Sequence, residues 1–346
     1  MKKLLSVIAA LSILAASFTA CGSSSSTPAA DTTAPTTAAA AAETAAQTDG
    51  TKEFKVAIVQ QLDHASLDEI RLAIEDELTK RAAEEGITIT YKEFNGQNDT
   101  TVLNQIGAQV VSDQYDAILP IATLAATTMA TATEENQIPV SYAAISDPAS
   151  SELTGIANVT GTSDALNTSF ILDMMLAAQP DIETVGLLYS NSEVNSVTPI
   201  AEAKEYLDSK GIAYIEKTGN STDEILTAAS ALVGRVQAVF TPTDNVVMAA
   251  EGAVAEILNE AGIPHYTGAD SFVAAGAFTT CGVNYTELGA YTADMAVDIL
   301  LGGAVPEYHV MDGGIITVNT DTAKTLGIDY SVFSTMAGTV KEVTTE

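Results

Sequence analysis

The chain has 346 residues, enough for two ordinary domains, and 47% of them are apolar, enough for sizeable cores. A formal net charge of −31 repels phosphate backbones and argues against nucleic-acid binding, and two cysteines exclude a disulfide framework. His64, His265 and His309 lie far apart, with no CxxC or HExxH motif, so neither a metal nor a cofactor is expected.

The N-terminus reads as an export signal over residues 1–20. Lys2 and Lys3 precede an apolar stretch from Leu4 to Phe18 that is too short to span a bilayer comfortably. Phe18-Thr19-Ala20-Cys21-Gly22 is similar to the bacterial lipobox, which makes Cys21 the expected lipidation site. An ordinary secretory signal with a chance cysteine is the other reading. Residues 22–52 are mostly Ser, Thr, Ala and Pro and cannot bury enough surface to fold, so 21–52 is read as a lipidated cysteine with a flexible tether of roughly 30 Å. A tether of this length favours a Gram-positive outer face over a periplasm, with the membrane met through the lipid alone.

The folded part opens with Val56-Ala57-Ile58-Val59, a buried-strand pattern, then a polar turn and a helical pattern from Leu67 to Glu85 ending at Gly86. Further strands are expected at Ile87–Phe94, Ala117–Ile121, Ile138–Ala143 and Gly155–Val159. Helices are expected from Asp99 or Thr100 to about Asp113 and from Thr123 to Thr133. Gly161-Thr162-Ser163-Asp164 reads as a crossover and hinge. The same strand–turn–helix grammar restarts at Thr184, and the later strands are expected at Ala213–Glu216, Ala238–Thr241, Pro264–Thr267 and Ala277–Cys281. Tyr285–Leu301 reads as a long helix returning to cover the first lobe, Ile315–Val318 as a last strand, and Glu342–Glu346 as a frayed tail. The pattern predicts an α/β chain of two Rossmann-like lobes with a small-molecule cleft between them. The first lobe spans 53–160 plus about 283–309; the second spans 161–282 plus about 310–335.

In open α/β sheets ligands bind beyond the carboxyl ends of the strands. That selects Gln61, Asp63, His64, Ser66, Asn98, Thr123, Ser146 and Asp147 in the first lobe. In the second it selects Ser190, Asn191, Ser192, Glu193, Asn195, Ser196, Thr243, Asp244, Asn245, Asp270 and Ser271. Thr123, followed by Leu124 and Ala125, opens a helix whose N–H groups suit a ligand carboxylate; it serves equally as a simple cap. Asp244 and Asp270 each follow a strand and are either partners for a ligand ammonium or helix caps. Phe272, Tyr142 and Tyr189 either stack on an apolar ligand or belong to cores. His64 near Asp63 and Ser66 lacks the G-x-S-x-G elbow of a hydrolase, and no phosphate-binding Gly loop occurs, so no enzyme is expected.

These motifs together resemble the substrate-binding lipoproteins of ABC importers in the tryptophan/tyrosine-transport family. The resemblance rests on His64-Ala65-Ser66-Leu67-Asp68, Asn95-Gly96-Gln97-Asn98-Asp99, Ser146-Asp147-Pro148, Gly161-Thr162-Ser163-Asp164, Tyr189 to Ser196, Thr243-Asp244-Asn245 and Gly268-Ala269-Asp270-Ser271-Phe272, over about Phe54 to Tyr330. It implies a type I periplasmic-binding-protein fold with three hinge crossovers. It also implies a monomeric extracytoplasmic binder that closes on an amino acid, often aromatic, and delivers it to a permease and its ATPase. Thr123-Leu124-Ala125-Ala126-Thr127 departs from the Pro or Ser with a following Gln expected there in relatives. A sugar, nucleoside or other neutral ligand, taken for uptake or sensing, is the alternative.

Overall fold

The computed structural model describes residues 51–337 and 339–345. The expected signal, Cys21 and all but the end of the tether therefore lie outside the described residues. Among the described residues, no helix is long and apolar enough to cross a membrane.

The first lobe is built on the predicted opening run. Val56 to Val59 are all fully buried within β1 (Glu53–Gln60), as a central parallel strand covered on both faces requires. α1 (Ala65–Glu85) ends at Gly86, whose φ of 63° is the left-handed cap the sequence predicted. β2 (Thr88–Asn95) follows. Asp99 then caps α2 (Thr100–Ser112) by accepting from the Thr101 and Val102 N–H groups. β3 (Ala117–Ile121), α3 (Thr123–Ala132), β4 (Val140–Tyr142) and β5 (Val159–Ser163) complete this stretch.

The chain then crosses to the second lobe. There α4 (Thr168–Ala178), β6 (Thr184–Tyr189), α5 (Val197–Lys210), β7 (Ala213–Thr218), α6 (Thr222–Ser230) and β8 (Ala238–Thr241) follow in order. α7 (Asn245–Met248), α8 (Glu251–Glu260), β9 (His265–Thr267), α9 (Asp270–Ala274) and β10 (Thr279–Gly282) come next. The chain returns for α10 (Tyr285–Leu300) and β11 (His309–Val310). It crosses a third time for β12 (Ile315–Asn319), α11 (Thr320–Leu326) and β13 (Val340–Val343).

Two sheets result. The first has the order β11-β5-β4-β3-β1-β2 and is parallel throughout; the second has the order β13-β12-β10-β9-β8-β6-β7, with only the β10–β12 pair antiparallel. As expected, α10 returns to the first lobe, where it lies against α1. A Cβ on Gly289 would sit 2.5 Å from the Ile70 carbonyl oxygen, so a glycine there permits the close approach. Arg81 on α1 clamps the pair through Asp294 (2.6 Å) and Asp298 (2.8 Å).

Two expectations are corrected. The fifth strand is Val159–Ser163 instead of Gly155–Val159, so Gly161 belongs to the sheet and not to a crossover. A Cβ at Gly161 would lie 2.1 Å from the Tyr142 carbonyl oxygen; the glycine serves strand approach, and the chain leaves the lobe after Ser163. The tail is also less frayed than expected, because Val340–Val343 pairs in parallel with Ile316–Asn319 and forms the edge of the second sheet. Cys281 is buried, and burial pushes its thiol up to about 11, as suits a small core residue.

Candidate functional site

The carboxyl ends of both sheets face one another, and a cavity lies between them. From the first lobe it is lined by His64, Ser66 and Leu67 after β1, Ala122 and Thr123 after β3, and Ala144 and Ser146 after β4. From the second it is lined by Asn195 after β6, Thr243, Asp244, Asn245 and Met248 after β8, and Ala269 and Phe272 after β9. Asp164, on the first crossover, and Tyr285, at the start of α10, close its hinge side.

The lobes meet directly. Gln61 Nε2 donates across the cleft to Glu193 Oε1 (3.1 Å), and Thr198 Oγ1 donates to Asp147 Oδ2 (2.8 Å). His64 Nε2 and Asn245 Oδ1 are 3.0 Å apart, Ser146 Oγ and Thr243 Oγ1 are also 3.0 Å apart, and Ser66 bonds Ser271. The cavity left between them has a volume of about 20 Å3, the scale of one water molecule. A ligand larger than a water molecule does not fit that volume, in which Met248 and Phe272 take up part of the lining.

Several expected residues have other duties. Asp244 is the N-cap of α7. Its Oδ1 accepts from the N–H groups of Val246 (3.1 Å) and Val247 (3.0 Å), and its Oδ2 from Ser190 N–H and Ser196 Oγ, both at 2.7 Å. All four acceptor positions are thus used within the second lobe, which is the capping alternative. Asp270 does not line the cavity; it pairs with Lys341 at 3.2 Å. Asn191 donates to Thr218 (2.9 Å) on an exposed edge, and Asp147 holds Ser150 and Thr198 at the rim. Ala125 packs into the first lobe's core with Leu124 against it, while the Leu124 N–H donates to Gln61 Oε1 (2.9 Å). Of the three aromatic candidates only Phe272 reaches the cavity; Tyr142 is core, and Tyr189 donates to Glu216 (2.7 Å).

Ala122 (φ 74°, ψ 164°) and Ala144 (φ 58°) both line the cavity at backbone angles that L residues rarely adopt. Sequence reasoning had no signal for them, nor for Met248 and Tyr285. Asp164 stood in view within the Gly161–Asp164 motif, assigned to the hinge.

Burial without a cation sets the electrostatics. Asp164, Glu193 and Asp244 are each at most 5% exposed, and among the described residues none forms a salt bridge. Burial, with the Asp244 charge beside it, pushes the Glu193 carboxyl up to about 7; burial raises Asp164 and Asp244 as well. Burial lowers His64, against smaller opposing effects of its Asn245 bond and of Asp68 and Asp63.

Residues 55–339 match the family model described as ABC transporter substrate binding protein. The chain belongs to this family. It is 30% identical over 287 residues to a tyrosine-binding protein of Clostridioides difficile (strain R20291), covering 81% of this chain and 83% of that one. It superposes on an ABC domain from Streptococcus pneumoniae in complex with L-Trp with a TM-score of 0.77 at 29% identity, covering 84% of this chain and 100% of the other. On the ligand-free, open structure of a substrate-binding protein with adhesive properties from Clostridium difficile the TM-score is 0.64 at 32% identity, covering 85% and 100%. The fold of this ABC substrate-binding protein is the type I periplasmic-binding-protein fold that the resemblance implied.

Proposed function

We propose that this substrate-binding protein captures an aromatic amino acid (tryptophan, tyrosine or phenylalanine) outside the cytoplasmic membrane and hands it to a permease and its ATPase. The observation that carries the reading is the cleft itself. Polar groups from both lobes and the apolar side chains of Leu67, Met248 and Phe272 converge on one cavity, so a ligand touching both lobes favours the closed arrangement. The ligands of the tyrosine-binding and L-Trp-bound relatives support the choice of amino acid. The better superposition on the L-Trp complex than on the open relative accords with lobes that meet directly here.

A binder suits the site better than an enzyme. His64 Nε2 is engaged by Asn245, and Ser66 and Ser146 bond Ser271 and Asp164, so none of the cavity's serines is paired with the histidine as nucleophile with base. A sugar or nucleoside is less well supported, because the cavity has large apolar side chains and few free donors. Cys21 would carry the anchor, with the protein acting as a monomer on an outer membrane face.

The test is calorimetric titration of the purified protein with the common amino acids, sugars and nucleosides. An aromatic amino acid that binds in the micromolar range or tighter supports the reading, and binding by sugars alone rejects it. A Cys21→Ser variant that still partitions with membranes would remove the lipid anchor from the proposal.

A further inference from the structure

The cavity carries bare hydrogen-bond acceptors, and the bonds made by their other atoms identify them. Asn245 Nδ2 donates to Glu193 Oε2 (2.6 Å), so the Asn245 oxygen that faces His64 is an acceptor. His64 Nε2 therefore carries the ring proton, and burial favours the neutral ring, which leaves Nδ1 as a lone pair. That atom is buried and has no partner among the described residues. Asn195 Nδ2 is engaged by the Thr243 carbonyl (2.7 Å), so Asn195 Oδ1 is likewise a buried acceptor without a partner. Asp164 adds a carboxylate. Its Oδ1 accepts from Ser146 Oγ and its Oδ2 from Tyr285 OH, each at 3.0 Å, one neighbouring side chain on each oxygen.

Resting on the amino-acid reading above, we propose that the cleft recognises a primary ammonium group, with Asp164 as its counter-ion and His64 Nδ1 and Asn195 Oδ1 as its other acceptors. An ammonium brings three donors and no acceptor, which complements this lining; a hydroxyl or a carboxylate does not. Of the two carboxylates that line the cavity, Asp244 has all four acceptor positions filled inside its own lobe, so Asp164 is the one with acceptor capacity left. Leaving acceptors buried and unbonded is costly, so a ligand lacking the ammonium forfeits its own contacts, leaves His64 Nδ1 and Asn195 Oδ1 unbonded and leaves the buried Asp164 carboxylate without a counter-ion. The assignment also places the ligand's charge at the hinge, because Asp164 lies on the first crossover and Tyr285 begins the helix after the second.

Matched ligands provide the test. Tyrosine, tryptophan and phenylalanine are each titrated beside the corresponding amine, which lacks the carboxylate, and the corresponding desamino acid, which lacks the ammonium. In the unaltered protein the desamino acids are expected to bind roughly 100-fold more weakly than the amino acids, the size of a lost charge-assisted contact, while the amines retain measurable binding. Asp164→Asn is expected to weaken the amino acids by at least roughly tenfold and to leave the desamino acids nearly unchanged. The comparison in the unaltered protein stands whether or not this variant folds. Amino acids and desamino acids binding within about threefold of each other would overturn the ammonium site and spare the amino-acid reading. Amines binding where no amino acid does would support the ammonium site and reject that reading. Binding confined to compounds without an ammonium, or no binding by any member of the set, overturns both.

Discussion

Gln61 and Glu193 join the two lobes: Gln61 Nε2 donates to Glu193 Oε1 at 3.1 Å while Gln61 Oε1 accepts from the Leu124 N–H at 2.9 Å. One amide thus positions the start of α3 and grips the opposite lobe. Gln61→Ala removes both bonds and leaves Glu193 with an unmet buried acceptor. The expected result is ligand affinity about tenfold lower, from a penalty of about 1–3 kcal/mol on the closed form, with a more open particle by small-angle scattering. Unchanged affinity would show that the grip contributes nothing to closure.

Glu193 also gives the stability a pH dependence. Its carboxyl titrates near 7 when folded and near 4.5 when exposed, so the native state holds this proton more tightly than the unfolded chain. That contribution is complete below the exposed value and disappears as pH rises through about 7. Asp164 and Asp244, also raised, act in the same direction, whereas His64, lowered by burial, opposes it as pH falls below the ordinary histidine range. Between pH 6 and pH 8 the unaltered protein is expected to lose on the order of 1 kcal/mol more stability than Glu193→Gln, read from urea melts. Parallel pH profiles for the two proteins would place the raised carboxyl elsewhere.

Asp270→Asn separates sequence expectation from structure. Asp270 faces Lys341 on a partly exposed surface, outside the cavity. The substitution should leave ligand affinity within about twofold and cost at most about 1 kcal/mol of stability. A tenfold loss of affinity would return Asp270 to the ligand site.

At Ala122 the backbone sits at φ 74° and ψ 164°, a region essentially reserved for glycine. Ala122→Gly relieves that strain against the extra entropy of an unfolded glycine, so the variant should melt higher, by about 1 kcal/mol of added stability. A lower melting temperature would mean that the Ala122 methyl contributes more by packing against the cavity than its backbone costs.

What was legible in the sequence was local. The Val56–Val59 run, the Gly86 cap and the Asp99 cap announce themselves within a few residues, and each took the expected form. The placement of cleft residues beyond strand ends also followed from one general rule. The roles of the carboxylates did not follow, because an aspartate after a strand looks the same whether it caps a helix or receives a ligand. Asp244 accepts from Ser190, 54 residues away, Asp270 pairs with Lys341, 71 residues away, and Asp164 accepts from Tyr285, 121 residues away, and a local pattern records none of these partners. Gly161 misled for a related reason: its neighbour is a carbonyl on an adjacent strand, and a single strand's pattern does not record it.

The order of the first sheet bears on when this protein can fold at all. Its edge strand β11 and its covering helix α10 come from residues 285–310, after nearly all of the second lobe has been synthesised. Neither lobe can complete its core while the chain is still emerging, and closing such distant contacts is intrinsically slow. The topology itself thus postpones completion of the first lobe until residues 285–310 have been made.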